Sequence, residues 1–325
     1  MTAAMTADLH SPARIDPLAP NPEGEWHGHT VSVRRVEAAA LGARRLRATH
    51  VDDRLIVEHR ITPEDLCDQL ATMIVADLAD AGVSIDQTGF EEAFTGVVRS
   101  TVTGPLESWL RFYTNSVHRL EGGSAGFSPV HAYGAGSVRG HEVIDLGSCF
   151  GFFPLRLAAY GIDVVATDLS APTMDLLARM SVLLGRFVRT LACDAAAVPR
   201  PDGCTDTVTA LHLIEHLPPE VADTVLAEAM RLARRRVVIA VPFEDEPTAC
   251  YGHVQRFDRA ALDRLAGRLH AEHPDWTTTV AEHHGGWLIL DRQPEPLRRS
   301  RGGRTRGTST PGRRDRTALT STPLP

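Results

Sequence analysis

Val143-Ile144-Asp145-Leu146-Gly147-Ser148-Cys149-Phe150-Gly151 is an apolar run that passes straight into a glycine-bearing turn, and a helical pattern starts at Phe152. Glycines at such a turn let the backbone approach a ligand closely. The first turn of the following helix offers unpaired N–H groups to polar or anionic atoms. The pattern repeats downstream. DVVATD precedes a helix beyond Pro172, VRTLACD follows, DTVTALHL precedes a helix from Pro218, and RVVIAVP closes the series. Short Val- and Ile-rich runs alternating with amphipathic helices predict βαβ units, hence an α/β fold with a mostly parallel, doubly wound sheet. The second run ends at Asp168, seventeen residues after Gly151, where a carboxylate can accept hydrogen bonds from both hydroxyls of a ribose. The third ends in Cys193-Asp194-Ala195, placed to meet an adenine edge. Glycine and acidic landmarks at three successive strand ends define one crevice.

After Pro242 the alternation stops. A loop, FEDEPTACYGHVQRFD, leads to a helix from Arg259 to Leu269, and the runs TTTVAEH and WLILDRQ follow across His284-Gly285-Gly286. That link predicts an antiparallel hairpin at the end of the sheet. Upstream, residues 28–140 read as a mainly helical cap that contributes to the substrate region. It starts with a hairpin about Asp52-Asp53 and continues with helices opening at Thr62-Pro63, Thr88 and Gly104-Pro105. Gly122 to Gly136 holds five glycines and Pro129 and reads as a loop. Residues 1–27 read as a disordered leader, 141–292 as the α/β domain, and 293–325 as a disordered Arg-rich tail. Arg231 and Arg234 to Arg236 read as the C-terminal end of the helix from Pro218, where cations complement the helix dipole.

The 325 residues are 43% hydrophobic and 23% charged, enough apolar content for a substantial core. All 34 basic residues are Arg. Nine fall from Arg292 onward against Glu295 and Asp315, so the tail carries +7 and the first 291 residues carry −14. An acidic body argues against a catalytic face that grips nucleic-acid phosphates. Five scattered cysteines without a CxxC pair fit neither a disulfide framework nor a structural zinc site, and point to a reducing cytoplasm. The N-terminus lacks a signal-peptide pattern, and no apolar run approaches the ~18 residues of a membrane span.

The spacing of Gly147 and Gly151, with Asp145 two residues earlier, departs from the G-x-G-x-x-G of dinucleotide enzymes. It resembles the first motif, roughly D-x-G-x-G-x-G, of the class I S-adenosylmethionine-dependent methyltransferases. The resemblance spans about residues 142–291 and takes in Asp168, Asp194, His212-Leu213-Ile214-Glu215-His216-Leu217 and the terminal hairpin. It implies a Rossmann-like, seven-stranded sheet, S-adenosyl-L-methionine as cofactor, and methyl transfer as the activity. Carried over residue by residue, it implies that Asp145 and Gly147 line the methionine end, that Ser148 is among the cofactor-binding residues and that Gly151 allows close packing. Asp168 would bind the ribose, Asp194 and Ala195 would face the adenine, and His212 would lie near the sulfonium. The family's middle glycine is Cys149 here, which implies a loop passing further from the methionine portion. DLGSCFGF, LHLIEHL, VPFEDEP and the segment Phe112 to Glu121 resemble, more narrowly, the mycofactocin oligosaccharide methyltransferases of actinobacteria, implying a glucan hydroxyl as acceptor. The alternatives are a methyltransferase of quinones, lipids or polyketides, a nicotinamide-dependent oxidoreductase, and a non-catalytic scaffold.

Methyl transfer from a sulfonium is an in-line displacement, so alignment dominates. A hydroxyl acceptor gains further from a base poised near neutral pH, which suits His. His216 is the candidate base, Glu215 an orienting or pocket-shaping carboxylate, and His253 an alternative base on a loop overhanging the acceptor side. Tyr113, Asn115, His118 and Arg119 combine an aromatic with hydrogen-bonding groups and are the candidate saccharide-binding residues. Cys250 and His253 have metal-ligand spacing, but no second pair accompanies them, so no metal site is expected.

Overall fold

The computed structural model describes residues 15–293. The chain opens with β1 (Glu25–His27), β2 (Val31–Arg35), the short helix α1 (Ala38–Leu41), β3 (Leu46–Val51) and β4 (Arg54–His59). β3 and β4 form the expected hairpin, with Asp52 in the left-handed region at its turn. The sheet is larger than that hairpin: β2 pairs in parallel with β4, and β1 adds to β2. Residues 15–27, read above as part of a disordered leader, are instead packed onto the body. Residues 1–14 lie outside the described residues, but Trp26 is buried and the Pro17 carbonyl accepts hydrogen bonds from Trp109 Nε1 at 2.7 Å and Arg99 at 2.6 Å.

Four helices follow: α2 (Leu70–Asp80), α3 (Gln87–Thr101), α4 (Pro105–Glu121) and α5 (Ser128–Ser137). α2 starts later than Thr62. The Asp65 carboxylate accepts from Thr62 N–H at 2.9 Å and its hydroxyl at 2.8 Å, a local closure that competes with helix propagation. α3 is capped by Asp86, whose Oδ1 accepts from Gly89 N–H at 2.8 Å, two residues before the expected Thr88. The Gly122–Gly136 stretch is not all loop, because α5 occupies its second half. Gly134 explains why: a Cβ there would lie 3.1 Å from Phe153 and 3.2 Å from Leu211, so this glycine permits close helix packing.

The α/β part contains β5 (Glu142–Leu146), α6 (Phe152–Ala159), β6 (Asp163–Asp168), α7 (Ala171–Leu183), β7 (Arg189–Ala192), β8 (Thr205–Leu211), α8 (Pro219–Leu232), β9 (Ala233–Val241), α9 (Arg259–Glu272), β10 (Trp276–Glu282) and β11 (Gly286–Arg292). These form one seven-stranded sheet in the order β10-β11-β9-β8-β5-β6-β7. The five strands from β9 to β7 run parallel; β11 is antiparallel to both β9 and β10. Burial of Val143 to Leu146 and Val237 to Val241 on both faces fits a parallel sheet covered by helices. The strand order reverses between β5 and β8, the place where an open α/β sheet leaves a crevice at its carboxyl edge. Arg234 to Arg236 lie on β9 rather than at the end of α8. Arg231 pairs with Glu228 and Asp202 at 2.7 and 2.6 Å, and Arg236 grips Asp291 through two 2.7 Å bonds. One apolar cluster runs across residues 140 and 141, joining Phe94, Trp109, Phe112 and Tyr113 to Leu155, Leu177 and Met180. The Arg-rich tail beyond Gln293 lies outside the described residues.

Within the N-terminal part, His59 is fully buried, its Nδ1 accepting from Ile61 N–H at 3.1 Å and its Nε2 2.7 Å from Ser100 Oγ. Burial, aided by Arg35, pushes its imidazole down to about 3. An unfolded histidine takes up its proton near pH 6.5, so this contribution to stability is complete above that pH and is lost as pH falls. The expected loss is on the order of 3 kcal/mol between pH 7 and pH 4. Urea unfolding of His59→Gln at both pH values tests it; a pH slope equal to that of the parent chain contradicts the assignment.

Candidate active site

The glycine loop between β5 and α6 carries three left-handed residues, Gly147 at φ 67°, Cys149 at 49° and Gly151 at 71°. A Cβ on Gly147 would sit 2.6 Å from Leu213 Cδ1, and one on Gly151 2.3 Å from Leu177 Cδ2. Both outer positions therefore need glycine for conformation and for space. The middle position tolerates Cys149 in a conformation that costs an L-residue roughly 1–2 kcal/mol. Its N–H donates to Asp168 Oδ2 at 3.0 Å, tying the loop to the end of β6.

Asp145 does not line the crevice. Its carboxylate is buried beneath the loop, accepting from Thr209 Oγ1 at 2.5 Å and Ser148 Oγ at 2.7 Å. Burial raises it to about 6, against the lowering effect of those two hydroxyls. Asp145 and Ser148 thus brace the loop from below. Asp168 stands half-exposed at the tip of β6, taking one backbone N–H on each oxygen, from Ser170 at 2.9 Å and from Cys149. Each oxygen retains acceptor capacity. Beside it opens a cleft of about 430 Å³ lined by Leu169, Ala171, Ala192, Cys193 and Asp194. The Asp194 carboxylate caps its own turn by accepting from Ala196 N–H at 2.8 Å, and Ala195 is partly buried against the core.

At the tip of β8, His212 is also left-handed, at φ 56°, and its ring lies 5.1 Å from that of the half-exposed Phe127. Ile214 to His216 form a single 3-10 turn that brings Glu215 back toward His212, whose Nδ1 is 3.2 Å from Glu215 Oε1. Glu215 is fully buried, and neither carboxylate oxygen has a hydrogen-bond partner. The His216 and His253 rings meet edge to face at 4.8 Å. Burial holds the His216 imidazole below its usual range. His253 Nδ1 lies 2.7 Å from Glu244 Oε2. Partial burial alone would raise Glu244; hydrogen bonds from His253 and Thr248 outweigh it and hold that carboxyl low. The structure therefore brings His212, Glu215, His216 and His253 together.

The candidate saccharide-binding residues do not gather. Tyr113 is fully buried, its ring 5.1 Å from Phe152 and 6.3 Å from Phe150, and its hydroxyl has no partner. Asn115 Nδ2 donates to the carbonyls of Pro63 and Leu66, both at 2.9 Å, and Arg119 pairs with Asp68 at 2.9 Å. These bonds fasten α4 to the segment before α2; of the four candidates, His118 alone is exposed. Two groups that the sequence did not single out reach the crevice from α3. Crowding by protein, then the charge of Asp168, raises Glu91 above the usual carboxylate range. Gln87 hydrogen-bonds Glu91 at 2.9 Å and lies so close to Gly252 that a Cβ there would be 2.3 Å from its Oε1. Glu244 was likewise hidden in a loop with no periodicity.

Residues 144–241 match the family model described as a methyltransferase domain. A search of curated proteins returns no match. Similar solved structures include an S-adenosylmethionine-dependent methyltransferase from Aquifex aeolicus, 19% identical, covering 54% of this chain and 92% of its own at TM-score 0.41. Magnesium protoporphyrin IX methyltransferase from Synechocystis is 18% identical, covering 57% and 84% at TM-score 0.39. The 1,6-didemethyltoxoflavin-N1-methyltransferase of Burkholderia thailandensis is 21% identical, covering 59% and 92% at TM-score 0.42. The family match falls on β5 to β9 and the crevice they define, which form an S-adenosylmethionine-dependent methyltransferase domain.

The residues present fit that cofactor: Asp168 has acceptor capacity for ribose hydroxyls, and the adjoining 430 Å³ cleft between Leu169 and Asp194 can take a planar base. When bound, the cofactor supplies an electrophilic methyl group. Asp168→Ala is expected to weaken S-adenosylhomocysteine binding by roughly 1–3 kcal/mol, the cost of a lost charged hydrogen bond. Titration calorimetry reads this directly, and unchanged affinity would move the ribose contact elsewhere.

Proposed function

We propose that the protein methylates a hydroxyl oxygen of a saccharide, with Glu215, His216 and His253 managing the hydroxyl proton. The observation that carries the reading is the gathering of two imidazoles and a buried carboxylate just past the tip of β8. An amine or thiolate acceptor needs little help with its proton, whereas a neutral hydroxyl is a poor nucleophile until its proton is taken. Phe127, 50% exposed beside His212, offers an apolar face to a sugar ring, and Gln87, beside Gly252, and Glu91 offer hydrogen-bonding groups from α3. The oligosaccharide class rests on the sequence resemblance of DLGSCFGF, LHLIEHL and VPFEDEP; a mycofactocin-linked glucan is its narrowest form. The test is incubation of the purified protein with methyl-labelled cofactor and an extract of the source cells, followed by mass spectrometry and fragmentation. Label on a sugar oxygen is the expected result. Label on a quinone, lipid or polyketide, or on nitrogen, would overturn the acceptor assignment.

A further inference from the structure

We propose that Glu215, His216 and His253 form a binding site for a first-row transition dication, Zn²⁺ or an ion of its class. One donor atom from each residue lies within 4.8 Å of the other two. A tetrahedral ion about 2.0–2.2 Å from nitrogen and oxygen ligands needs donors roughly 3.3 Å apart, a gap that small rotations of the three side chains close. Two imidazoles and one carboxylate form a donor set suited to such ions, and three protein ligands leave a position open.

Independent features of the cluster point to an ion. Glu215 is fully buried, yet both oxygens lack a hydrogen-bond partner. An isolated buried carboxylate is costly, and native structures compensate it with a counter-charge. The nearest cationic candidate is His212 Nδ1 at 3.2 Å. His253 is already oriented as a ligand: Nδ1 faces Glu244 at 2.7 Å, which leaves Nε2 for a metal, and Thr248 Oγ1 steadies the other Glu244 oxygen at 2.9 Å. A carboxylate behind a ligating histidine fixes its tautomer and ring direction. The strap that carries His253 is fastened to the 3-10 turn itself, since Val254 and Gln255 N–H donate to the Glu215 carbonyl at 2.8 and 3.1 Å.

This inference rests on the hydroxyl-methylation reading and replaces direct proton transfer to an imidazole with activation of the hydroxyl by an ion that the same three side chains hold. A bound dication takes the acceptor hydroxyl in its open position and lowers the pKa of that hydroxyl. The O–H proton passes to water, the O–C bond forms as the S–C bond breaks, and the sulfonium leaves as the neutral thioether. Spectroscopic titration of chelator-treated protein with Co²⁺, and calorimetry with Zn²⁺, test the site. One ion per chain is expected, with affinity lost in the His216→Ala/His253→Ala double variant and lowered about 10–100-fold in Glu244→Gln. S-Adenosylhomocysteine binding serves as the folding control, and Glu244→Gln keeps the test open if the double variant fails it. Absence of Co²⁺ and Zn²⁺ binding by the parent chain, or binding indifferent to all these substitutions, would overturn the site. Chelator-treated protein that still methylates a hydroxyl at full rate would overturn the metal while leaving the acceptor reading intact. Metal-loaded protein that methylates only nitrogen would do the reverse.

Discussion

Replacing His253 by Ala is expected to lower turnover about 10²-fold or more while leaving S-adenosylhomocysteine affinity unchanged. His253 sits on a segment anchored to the Glu215 carbonyl, faces Glu244 through Nδ1 and touches His216 edge to face. Its Nε2 is therefore the free atom, whether it takes a proton itself or holds an ion that acidifies the acceptor. The cleft beside Asp168 is lined by Leu169, Ala171, Ala192, Cys193 and Asp194, none of which His253 helps to position. The effect thus falls on kcat rather than on cofactor binding. His216→Ala should behave alike, because removing either ring breaks the same cluster. Steady-state kinetics beside calorimetry separate the two quantities. Normal turnover in both variants would remove the cluster from the chemistry.

A second large effect is expected on stability. Glu92→Ala should cost about 3–5 kcal/mol. The Glu92 carboxylate is fully buried and accepts four hydrogen bonds: His29 N–H at 2.6 Å, Thr30 N–H at 2.8 Å, Thr30 Oγ1 at 2.9 Å and Val31 N–H at 2.8 Å. It closes the β1–β2 turn onto α3, and Gly28 is crowded against it, since a Cβ there would lie 2.5 Å from Glu92 Cδ. Truncation leaves the buried Val31 N–H without an acceptor and takes the acceptor from His29 and Thr30 as well, a larger penalty than the bonds' net worth. Urea unfolding measures the difference; a loss under about 1 kcal/mol, the net value of a single ordinary hydrogen bond, would contradict the account.

The crevice was legible because its markers sit at strand ends. β5, β6 and β9 are Val- and Ile-rich runs and β8 a Thr-rich one, all buried on both faces, and Gly147, Gly151 and Asp168 follow at fixed offsets. The N-terminal part was less legible. Thr62 to Asp65 carries helix-opening residues, yet Asp65 spends its carboxylate on Thr62. α5 hid in a glycine-rich stretch because Gly134 serves packing against Phe153 and Leu211 rather than turning. Within the site, adjacency of Glu215 and His216 said nothing of their facing; the 3-10 turn decides that. The His253–Glu244 pair depends on a loop that returns to the Glu215 carbonyl, a tertiary contact that no local pattern announces. Asp145 fits the family motif, but its carboxylate was placed in the crevice when Thr209 and Ser148 hold it beneath.

The most direct test of the central claim is calorimetric titration of the intact protein with S-adenosylhomocysteine and, separately, with NAD⁺. One S-adenosylhomocysteine per chain, weakened in Asp168→Ala, and no heat with NAD⁺ is the predicted result. Binding of NAD⁺ in place of S-adenosylhomocysteine, or binding of neither, would contradict it.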